Sequence, residues 1–376
     1  MSFLLLSDSY FPDRRSSALI VKSIYQKLKE KKYECKVISL TENEAHTKNT
    51  DLELIQTFKF RNLNFLLRGL STIFYIIKIV IRVYIINYTP KLIYIYYPSF
   101  MLLFLIPFIK LRYKKAQILI HYQDHFPENA YDLKIIKNKF IFNFLKTIRK
   151  NLINKKIIVV VNSKKLRNKL KSSLKIKNIF FFHNWPLIQK VIFKKNEKNK
   201  LFTFIYSGNI GPAQDFMNIL DFFAKTQLNI QLEVYGDGRN LVNLKSRFSN
   251  HKKINFYKFI QGKNLSKIYH NSSASIICLS MNNKTSFIPS KFYDYVNHNL
   301  PIFALIHKEC DLNQIIHDYN LGLTINNLDF TKIEHNIINF IKNFKSYKKS
   351  CHLYNVSDNL DLFTNFLISN SNNTFN

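Results

Sequence analysis

Asp294 stands between two tyrosines in the stretch FIPSKFYDYVNHNLPIFA, residues 287–304. The stretch otherwise predicts a buried helix, and aspartate is a poor helix former that is costly to bury without a partner. A carboxylate at this place can accept two hydrogen bonds from adjacent hydroxyls, such as a ribose 2′,3′-diol. The alternative is an aspartate near a helix start that compensates the helix dipole.

Ser290 and Lys291 come just before this aspartate. Ser290 is a suitable N-cap. Lys291 falls in the predicted first turn, where a cation opposes the helix dipole. A cation at that place indicates a nearby anion such as a phosphate.

Glycine-bearing turns follow two strand-like runs of the same half of the chain. YSGNIGPAQDF (206–216) places Gly208 and Gly211 where the backbone can turn tightly, before a helix predicted to begin near Asp215. Free N–H groups at a helix start suit a diphosphate. The alternative is an ordinary strand–helix turn.

YGDGRN (235–240) follows the next predicted strand and contains Arg239. This arginine either binds a phosphate or is solvated in an ordinary strand–helix loop. These two turns and the IPSK segment before Asp294 make three turn-like loops at strand ends, which fit nucleotide binding at the carboxyl edge of a parallel sheet.

Another cluster of chemically capable residues follows a strand in the first half. HYQDHFPENAYD (121–132) carries His121, Asp124, His125 and Glu128. The two histidines are four apart, but the glutamate is misplaced for a zinc protease motif, so no metal site is predicted. Asp124 or His121 is instead a candidate general base or sugar-hydroxyl ligand. The alternative is local turn capping by Asp124.

Two adjacent arginines lie in the first predicted strand–helix turn. Arg14 and Arg15 of YFPDRRSSA either clamp an acceptor phosphate or are solvated.

The elements that must position these residues alternate between strand and helix, twice. Runs apolar on both faces, as in parallel strands covered by helices, predict an α/β protein with two doubly wound sheets. The polar segment 193–200 reads as the linker between the halves. The predicted strands are 3–7, 35–40, 92–97, 116–122, 156–163, 201–208, 230–236, 253–260, 274–280 and 300–305.

The charge of the chain favours anionic partners. Its 376 residues carry a formal net charge of +32, and no acidic residue occurs between Ile55 and Gln123 or between Leu133 and Asn196. Such a surface attracts nucleic acid, anionic lipid or phosphorylated substrates. No nucleic-acid motif is evident, so a nucleic-acid-binding protein is an alternative that rests on charge alone.

Cysteine spacing and the N-terminus indicate a reducing compartment. The 4 cysteines form no CxxC pair, which disfavours a zinc or disulfide framework. The first residues, MSFLLLSDSYFPDRR, lack a basic n-region and predict a buried strand and a loop, not a signal peptide.

Residues 64–86 are long and apolar enough to require a membrane interpretation. Arg68, Lys78 and Arg82 fall on one narrow stripe of the predicted helix. The favoured interpretation is a helix lying on a membrane surface. The alternatives are a core helix with outward-reaching cations and, least favoured, a spanning helix. Residues 140–153 repeat the aromatic and cationic pattern.

These motifs, in this order, resemble the family 4 glycosyltransferases of the GT-B fold, especially the bacterial enzymes of O-antigen, capsule and exopolysaccharide synthesis. SDSYFPD is similar to the family's opening strand and turn, and QDHFPENA to its D-x-[WF]-P-E segment. FFHNWPLI resembles the stretch that ends its N-domain. YSGNIGPAQDF is similar to its GNxGxAQ loop, and IPSKFYDYVNHNLPIFA to PSKxxEYxxxGxPI.

The resemblance implies two Rossmann-like domains facing a cleft. Residues 1–190 would bind the acceptor, 200–355 the nucleotide sugar, and 356–376 would form a helix that crosses back. By position, Asp294 would hold the ribose and Lys291 the diphosphate. The other donor-binding residues that it implies are Gly208, Asn209, Gly211, Gln214, Arg239, Phe259, Ile260 and Ser290.

Departures from the family pattern leave the donor sugar open. No acid stands eight residues before Asp294, where the first acid of a Glu-x7-Glu motif would be, and Asn209 and Gln214 replace the usual arginine and lysine of the first loop. Asn299 replaces a glycine and can also adopt the left-handed conformation.

The resemblance implies a metal-independent, retaining glycosyltransferase without a cofactor, peripheral at the cytoplasmic face of the plasma membrane. Its donor would be a nucleotide diphosphate sugar and its acceptor lipid-linked or a glycan, with no nucleic-acid partner. A sugar-nucleotide epimerase or hydrolase of the same fold is the related alternative.

Overall fold

The computed structural model describes residues 1–13, 15–41, 49–57, 65–97, 100–132, 134–193, 201–211, 214–281 and 288–372, with the side chains of 65–72 left aside. Arg14, the place of the missing first acid, the side chain of Arg68 and nearly all of the predicted linker lie outside this description. Contacts divide the chain into two compact units. The first comprises Met1–Asn184 with Asp358–Asn376, and the second comprises Trp185–Ser357.

A seven-stranded sheet forms the centre of the first unit. The strand order is β3-β2-β1-β4-β5-β6-β7, and each recorded pair is parallel. Strands β1, β4 and β5 are buried throughout because helices cover both faces of the sheet. The bounds are β1 (Ser2–Ser7), β2 (Glu34–Thr41), β3 (Leu52–Gln56), β4 (Leu92–Tyr97), β5 (Gln117–Tyr122), β6 (Ile158–Val161) and β7 (Ile179–Phe181).

Helices of the first unit divide between the two faces of this sheet. Right-handed crossovers between parallel strands place α2, α3, α5 and α6 on one face and α1 on the other. The C-terminal helix α14 packs on α1, where Lys27 bonds Asp361 at 2.8 Å. The bounds are α1 (Ser16–Glu30), α2 (Phe65–Ile85), a 3₁₀ helix (Phe100–Phe104), α3 (Leu105–Arg112), α4 (Glu128–Asp132), α5 (Lys139–Leu152), α6 (Lys164–Leu174) and α14 (Asn359–Ser371).

The second unit repeats the same plan with six strands. Its order is β10-β9-β8-β11-β12-β13, and the recorded pairs are again parallel. The order reverses between β8 and β11, the position at which doubly wound sheets bind ligands beyond their strand ends. The bounds are β8 (Phe202–Asn209), β9 (Ile230–Asp237), β10 (Ile254–Tyr257), β11 (Ala274–Cys278), β12 (Ile302–Leu305) and β13 (Gly322–Ile325).

Two apolar layers cover the faces of this second sheet. Alternate residues of β8 point to opposite faces, so Phe204 and Tyr206 enter one layer and Ile205 enters the other. The helices are α7 (Phe216–Lys225), α8 (Leu241–Phe248), α9 (Gly262–Asn271), α10 (Lys291–Asn297), α11 (Asp311–Asp318), α12 (Phe330–Lys342) and α13 (Phe344–Leu353).

The predicted α/β class with two doubly wound sheets is confirmed, and each strand predicted from the sequence is present. Strands β3, β7 and β13 were not predicted. All three are the outermost strands of their sheets and are partly exposed, so they lack the apolar character on both faces that marked the others. Asn299 takes the left-handed conformation expected of it, with φ of 56°.

Candidate functional site

The loop that ends β8 approaches the start of α10. Gly208 has a φ of +114°, a backbone conformation that residues other than glycine rarely adopt. A Cβ on Gly208 would lie 3.4 Å from both Cε and Nζ of Lys291. Two predicted residues, 83 positions apart in the sequence, therefore lie side by side at the carboxyl edge of the sheet.

A second close approach fixes this loop against the end of β9. A Cβ on Gly236 would lie 2.6 Å from the carbonyl oxygen of Gly208, so only glycine fits. The backbone N–H of Ile210 donates to the carbonyl of Asp237 at 2.8 Å. Gly211 donates its N–H to Oε1 of Gln214 at 2.9 Å, so the Gln214 side chain shapes the loop. The two glycine turns predicted from the sequence thus form one folded surface.

Lys291 carries a cation into this surface with little compensation. Its Nζ lies 3.7 Å from the centroid of the Tyr206 ring, a cation–π contact. Among the described residues, no salt bridge or hydrogen bond to Nζ is recorded. Burial lowers the pKa of Lys291 to about 7. An anion placed beside Nζ would therefore supply a partner that the described residues do not provide.

Asp294 lies one turn further along α10 and is only 6% exposed. Its Oδ1 accepts the backbone N–H of Leu187 at 2.7 Å and that of Ile188 at 2.8 Å. Burial raises the pKa of Asp294 to about 7, although these two hydrogen bonds act in the opposite direction. No hydrogen bond to Oδ2 is recorded among the described residues, so one carboxylate oxygen is left for another donor.

The predicted N-cap position of Ser290 is confirmed, but its side chain does not cap the helix. Ser290 occupies the N-cap position of α10, but its backbone is already helical and its hydroxyl makes no capping hydrogen bond. Its backbone carbonyl instead accepts the N–H of Tyr293 at 3.1 Å.

The remaining predicted donor residues lie at the same edge of the sheet. Asn209 and Arg239 are exposed where β8 and β9 end, and Phe259 and Ile260 are partly buried between β10 and α9. Helix α7 begins one residue after Asp215, as predicted. Their assignment to a nucleotide sugar stays a prediction.

His121 in the first unit is part of the core of β5 and does not lie in the loop beyond it. It is 1% exposed, and its Nδ1 bonds the hydroxyl of Tyr94 at 2.7 Å. Its Nε2 contacts the side-chain amide of Gln123, and its ring stacks on Phe363 of α14. Burial lowers the pKa of His121 to about 3. The imidazole is therefore neutral and enclosed, which leaves it little access to a substrate.

Asp124 is better placed for chemistry, because it follows β5 in the loop at the carboxyl edge. Burial raises the pKa of this carboxyl, and the side-chain amide of Asn129 donates to its Oδ1. The nearby Tyr96 hydroxyl has its pKa raised by burial and then by the charges of Asp8 and Asp124. The role of Asp124 or His121 in orienting an acceptor stays a prediction.

Sequence reasoning overlooked Asp8 and the Glu128–Arg149 pair. Asp8 directly follows β1, so the strand-end rule that selected Asp124 selects it as well. Arg149 donates to both Glu128 oxygens, at 2.6 and 2.7 Å. No signal for this pair exists in the sequence, because Arg149 is one cation among many in α5.

Neither a metal site nor a spanning helix occurs in the part of the chain that the structure describes. No three His, Cys, Asp or Glu residues converge as metal ligands there. None of the described helices combines the length and apolar character needed to cross a membrane.

Comparison of the sequence with family models and with curated proteins finds no match. Solved structures do match over nearly the whole chain. WaaG, a glycosyltransferase involved in lipopolysaccharide biosynthesis, is 10% identical with a TM-score of 0.68, over 97% of this chain and 99% of its own. HepE of Anabaena, in complex with UDP and glucose, is 11% identical with a TM-score of 0.67, over 98% and 100%.

A third similar structure is a putative UDP-N-acetylglucosamine 2-epimerase from Listeria monocytogenes. It is 8% identical with a TM-score of 0.64, over 98% of this chain and 95% of its own. The two units of this chain each contain a parallel sheet whose strand order reverses once. Together with the similar solved structures, this shows that the chain has the GT-B fold of two Rossmann-like domains.

Proposed function

We propose that this protein is a retaining glycosyltransferase that uses a nucleotide diphosphate sugar as its donor. The observation that carries the proposal is the Lys291 ammonium beside Gly208, for which no anionic partner is recorded among the described residues. It lies at the reversal of strand order, where doubly wound sheets bind nucleotides. A diphosphate at this loop would meet Lys291 and the glycine-rich backbone, and Oδ2 of Asp294 would accept a ribose hydroxyl.

The reaction would transfer the sugar to a hydroxyl of a lipid-linked or polysaccharide acceptor in surface polysaccharide synthesis. The bond between the anomeric carbon and the diphosphate breaks while a bond to the acceptor oxygen forms on the same face. The acceptor proton passes to a diphosphate oxygen, so no protein nucleophile and no metal are required. Lys291 would stabilise the charge that develops on the leaving diphosphate. Asp124 would orient the acceptor hydroxyl.

Several similar structures support this choice of donor. HepE has been solved with UDP, with UDP-glucose, and with UDP and glucose. WaaG and WaaB take part in lipopolysaccharide synthesis. The excess of positive charge suits a diphosphate-bearing acceptor at the cytoplasmic membrane surface.

A thermal-shift and transfer screen across UDP-, GDP- and dTDP-sugars tests the proposal. We expect at least one nucleotide to raise the melting temperature of the parent protein, and the Lys291→Met variant to lose that shift. Exposed Lys263, in the first turn of α9, provides the matched control as Lys263→Met. Absence of any shift with all three nucleotide classes contradicts the proposal.

The epimerase-like structure defines the outcome that would favour the alternative. Turnover of the nucleotide sugar without an added acceptor, giving an epimer or free sugar, would identify a sugar-nucleotide epimerase or hydrolase.

A further inference from the structure

Helix α5 (Lys139–Leu152) leaves its aromatic face uncovered. Phe140 is 79% exposed and Phe144 is 57% exposed, Ile141 on the same helix is exposed as well, and so is Ile135 in the segment that precedes the helix. Large apolar side chains grouped on one surface usually mark a binding surface, whereas scattered ones do not. We call these four residues the α5 apolar patch.

The patch sits on a helix whose two ends are both fixed. At its start, Oδ1 of Asn138 accepts the N–H of Phe140 at 2.8 Å and so caps the first turn. Near its end, Arg149 is buried and donates to Glu128, to the carbonyl of Phe126 at 2.8 Å and to the hydroxyl of Tyr122 at 3.0 Å. The exposed aromatic rings therefore project from an ordered helix and not from a loose segment.

The same buried arginine ties the helix to a loop with chemical interest. Glu128 belongs to the segment that follows β5, and Asp124 lies four residues before it. Removal of one partner from a buried ion pair is costly, so α5 and this loop are held together. A surface that contacts α5 is thereby coupled to the loop in which the acceptor ligand is proposed.

Along α5 itself every charged residue is cationic, and exposed Asp132 is the nearest acidic residue before it in the sequence. No acidic residue occurs from Leu133 to Asn196, and exposed lysines frame the apolar side chains. Those on α5 or just before it are Lys134, Lys137, Lys139 and Lys150. An apolar strip bordered by long cationic side chains complements a lipid surface with anionic headgroups. At such a surface, lysine stems can lie along the apolar zone while their ammonium groups reach lipid phosphates.

Helices α2 and α3 extend this exposed surface along the same face of the sheet. Ile73, Ile77 and Ile81 recur every four residues on α2 and are all exposed. The hydroxyl of Tyr84 on α2 donates to the carbonyl of Phe108 on α3 at 3.3 Å, which joins the two helices. Right-handed crossovers place both helices on the face that carries α5.

We propose that α5 docks on an anionic bilayer, inserting the apolar patch at headgroup depth while the Glu128–Arg149 pair holds the helix to the Asp124 loop. The inference deepens the proposed function, on which it rests for the membrane-borne acceptor. A second copy of the chain is a poorer occupant, because a two-fold contact through α5 would bring its lysines against one another.

Sedimentation with vesicles tests the docking, with vesicles of phosphatidylglycerol and phosphatidylcholine compared with phosphatidylcholine alone. We expect binding to the anionic vesicles, weakened about tenfold or more when Phe140→Ser and Phe144→Ser are combined. Val242 and Leu353 in the second unit are 75% and 71% exposed, so Val242→Ser with Leu353→Ser is the matched control. The control variant should bind as the parent does.

A charge variant separates the electrostatic part of the binding. Lys139→Glu with Lys150→Glu should remove the preference for vesicles that contain phosphatidylglycerol. A higher salt concentration should likewise weaken the binding of the parent protein to these vesicles. Donor-induced thermal shifts, measured without vesicles, should be unchanged in every variant. A loss of those thermal shifts would show that the substitution affects the proposed donor site. A loss of vesicle binding alone would show that it affects docking through α5.

Two results overturn the inference. One is equal vesicle binding by the parent and the Phe140→Ser, Phe144→Ser variant. The other is a concentration-dependent dimer, seen by analytical ultracentrifugation, that this variant abolishes, which would assign the patch to a second copy. Circular dichroism of each variant ensures that a folded protein is compared.

Discussion

Oδ1 of Asp294 accepts the backbone N–H of Leu187 at 2.7 Å. Leu187 lies in FFHNWPLI and Asp294 in IPSKFYDYV, so one carboxylate oxygen joins two of the stretches on which the family resemblance rests. The neighbouring N–H of Ile188 reaches the same oxygen at 2.8 Å. Asp294 thus has a structural task, and the ribose role proposed for it falls to Oδ2.

Substitution of Asp294 should separate these two tasks. In Asp294→Ala, two buried N–H groups lose their acceptor at a cost of about 1–3 kcal/mol each, so the melting temperature should fall clearly. Asp294→Asn retains a side-chain oxygen for Leu187 and Ile188, so its melting temperature should stay near that of the parent. Its donor affinity should still fall about tenfold, because hydrogen bonds to a charged acceptor are stronger than those to an amide. Calorimetric unfolding and donor titration give the two quantities.

Asp311 offers the matched control for this pair of variants. It is likewise a buried aspartate in the first turn of a helix, α11, outside the Gly208 loop. Asp311→Asn should leave donor affinity unchanged. If Asp294→Asn binds the donor as tightly as the parent protein, Asp294 has only a structural role, as the acceptor for the N–H groups of residues 187 and 188.

Donor affinity should depend on pH through Lys291. Burial lowers the pKa of this lysine from 10.5 to about 7 in the folded protein, whereas a bound diphosphate favours the protonated form. The part of the affinity that depends on Lys291 should therefore fall as pH rises through about 7, with proton uptake on binding, whereas the charge that Asp294 gains in the same pH range acts in the opposite direction. The free protein should show the opposite trend in stability. Above pH 7 the unfolded chain binds the extra proton, so this group's contribution to stability rises with pH up to about 10.5.

Lys291→Met is the reference for both pH effects. Titration calorimetry in buffers of different ionisation enthalpy should detect proton uptake in the parent and not in the variant. The same pH slope of affinity in both proteins would show that another group causes it.

Gly208→Ala should damage the site more than a comparable glycine substitution elsewhere. At a φ of +114° any side chain is strained, and the new Cβ would lie 3.4 Å from Nζ of Lys291. We expect a destabilisation of about 1–3 kcal/mol and a loss of donor affinity of about tenfold. Gly262→Ala is the control, because Gly262 also has a positive φ, +60°, but has no atom within 4 Å of its Cβ position. Equal donor affinity in both variants would contradict the assignment of Gly208 to the site.

The sequence predicted the fold well where burial is complete. Central strands such as β4 and β5 have apolar residues on both faces, a pattern that few other elements share. The edge strand β3 mixes glutamate with leucine and is half exposed, so its pattern does not differ from that of a loop. Of the four outermost strands in the two described sheets, only β10 was therefore predicted.

The candidate site was predictable only in its local parts. A glycine turn after a strand and a lysine at a helix start are visible in short stretches, and the strand order then places Gly208 beside Lys291. The partners of Asp294 were not visible, since a backbone N–H is common to almost all residues. The burial of His121, in contrast, was predictable, because His121 falls within the run 116–122 that predicts a strand buried on both faces.

Asp124 and His121 should respond differently to substitution, although the sequence predicts either of them as the residue that orients the acceptor. Asp124 lies beyond β5 with a carboxyl whose pKa is raised by burial, whereas His121 is enclosed by Tyr94 and Phe363. Asp124→Asn should therefore lower the rate of transfer at saturating donor, with little change in melting temperature or donor affinity. His121→Ala should instead lower the free energy of unfolding by about 2–5 kcal/mol, because it leaves a cavity and removes the hydrogen bond to Tyr94. The melting temperature should fall accordingly.

Thermal unfolding and transfer kinetics on the same preparations distinguish the two roles. Transfer should be compared per folded molecule, at a temperature where both variants are native. His121→Asn is the second variant, because a shorter polar side chain retains a hydrogen bond to Tyr94 and should recover part of the stability. A folded His121→Asn protein that has lost transfer, beside an Asp124→Asn protein that transfers as the parent does, would reverse the two assignments.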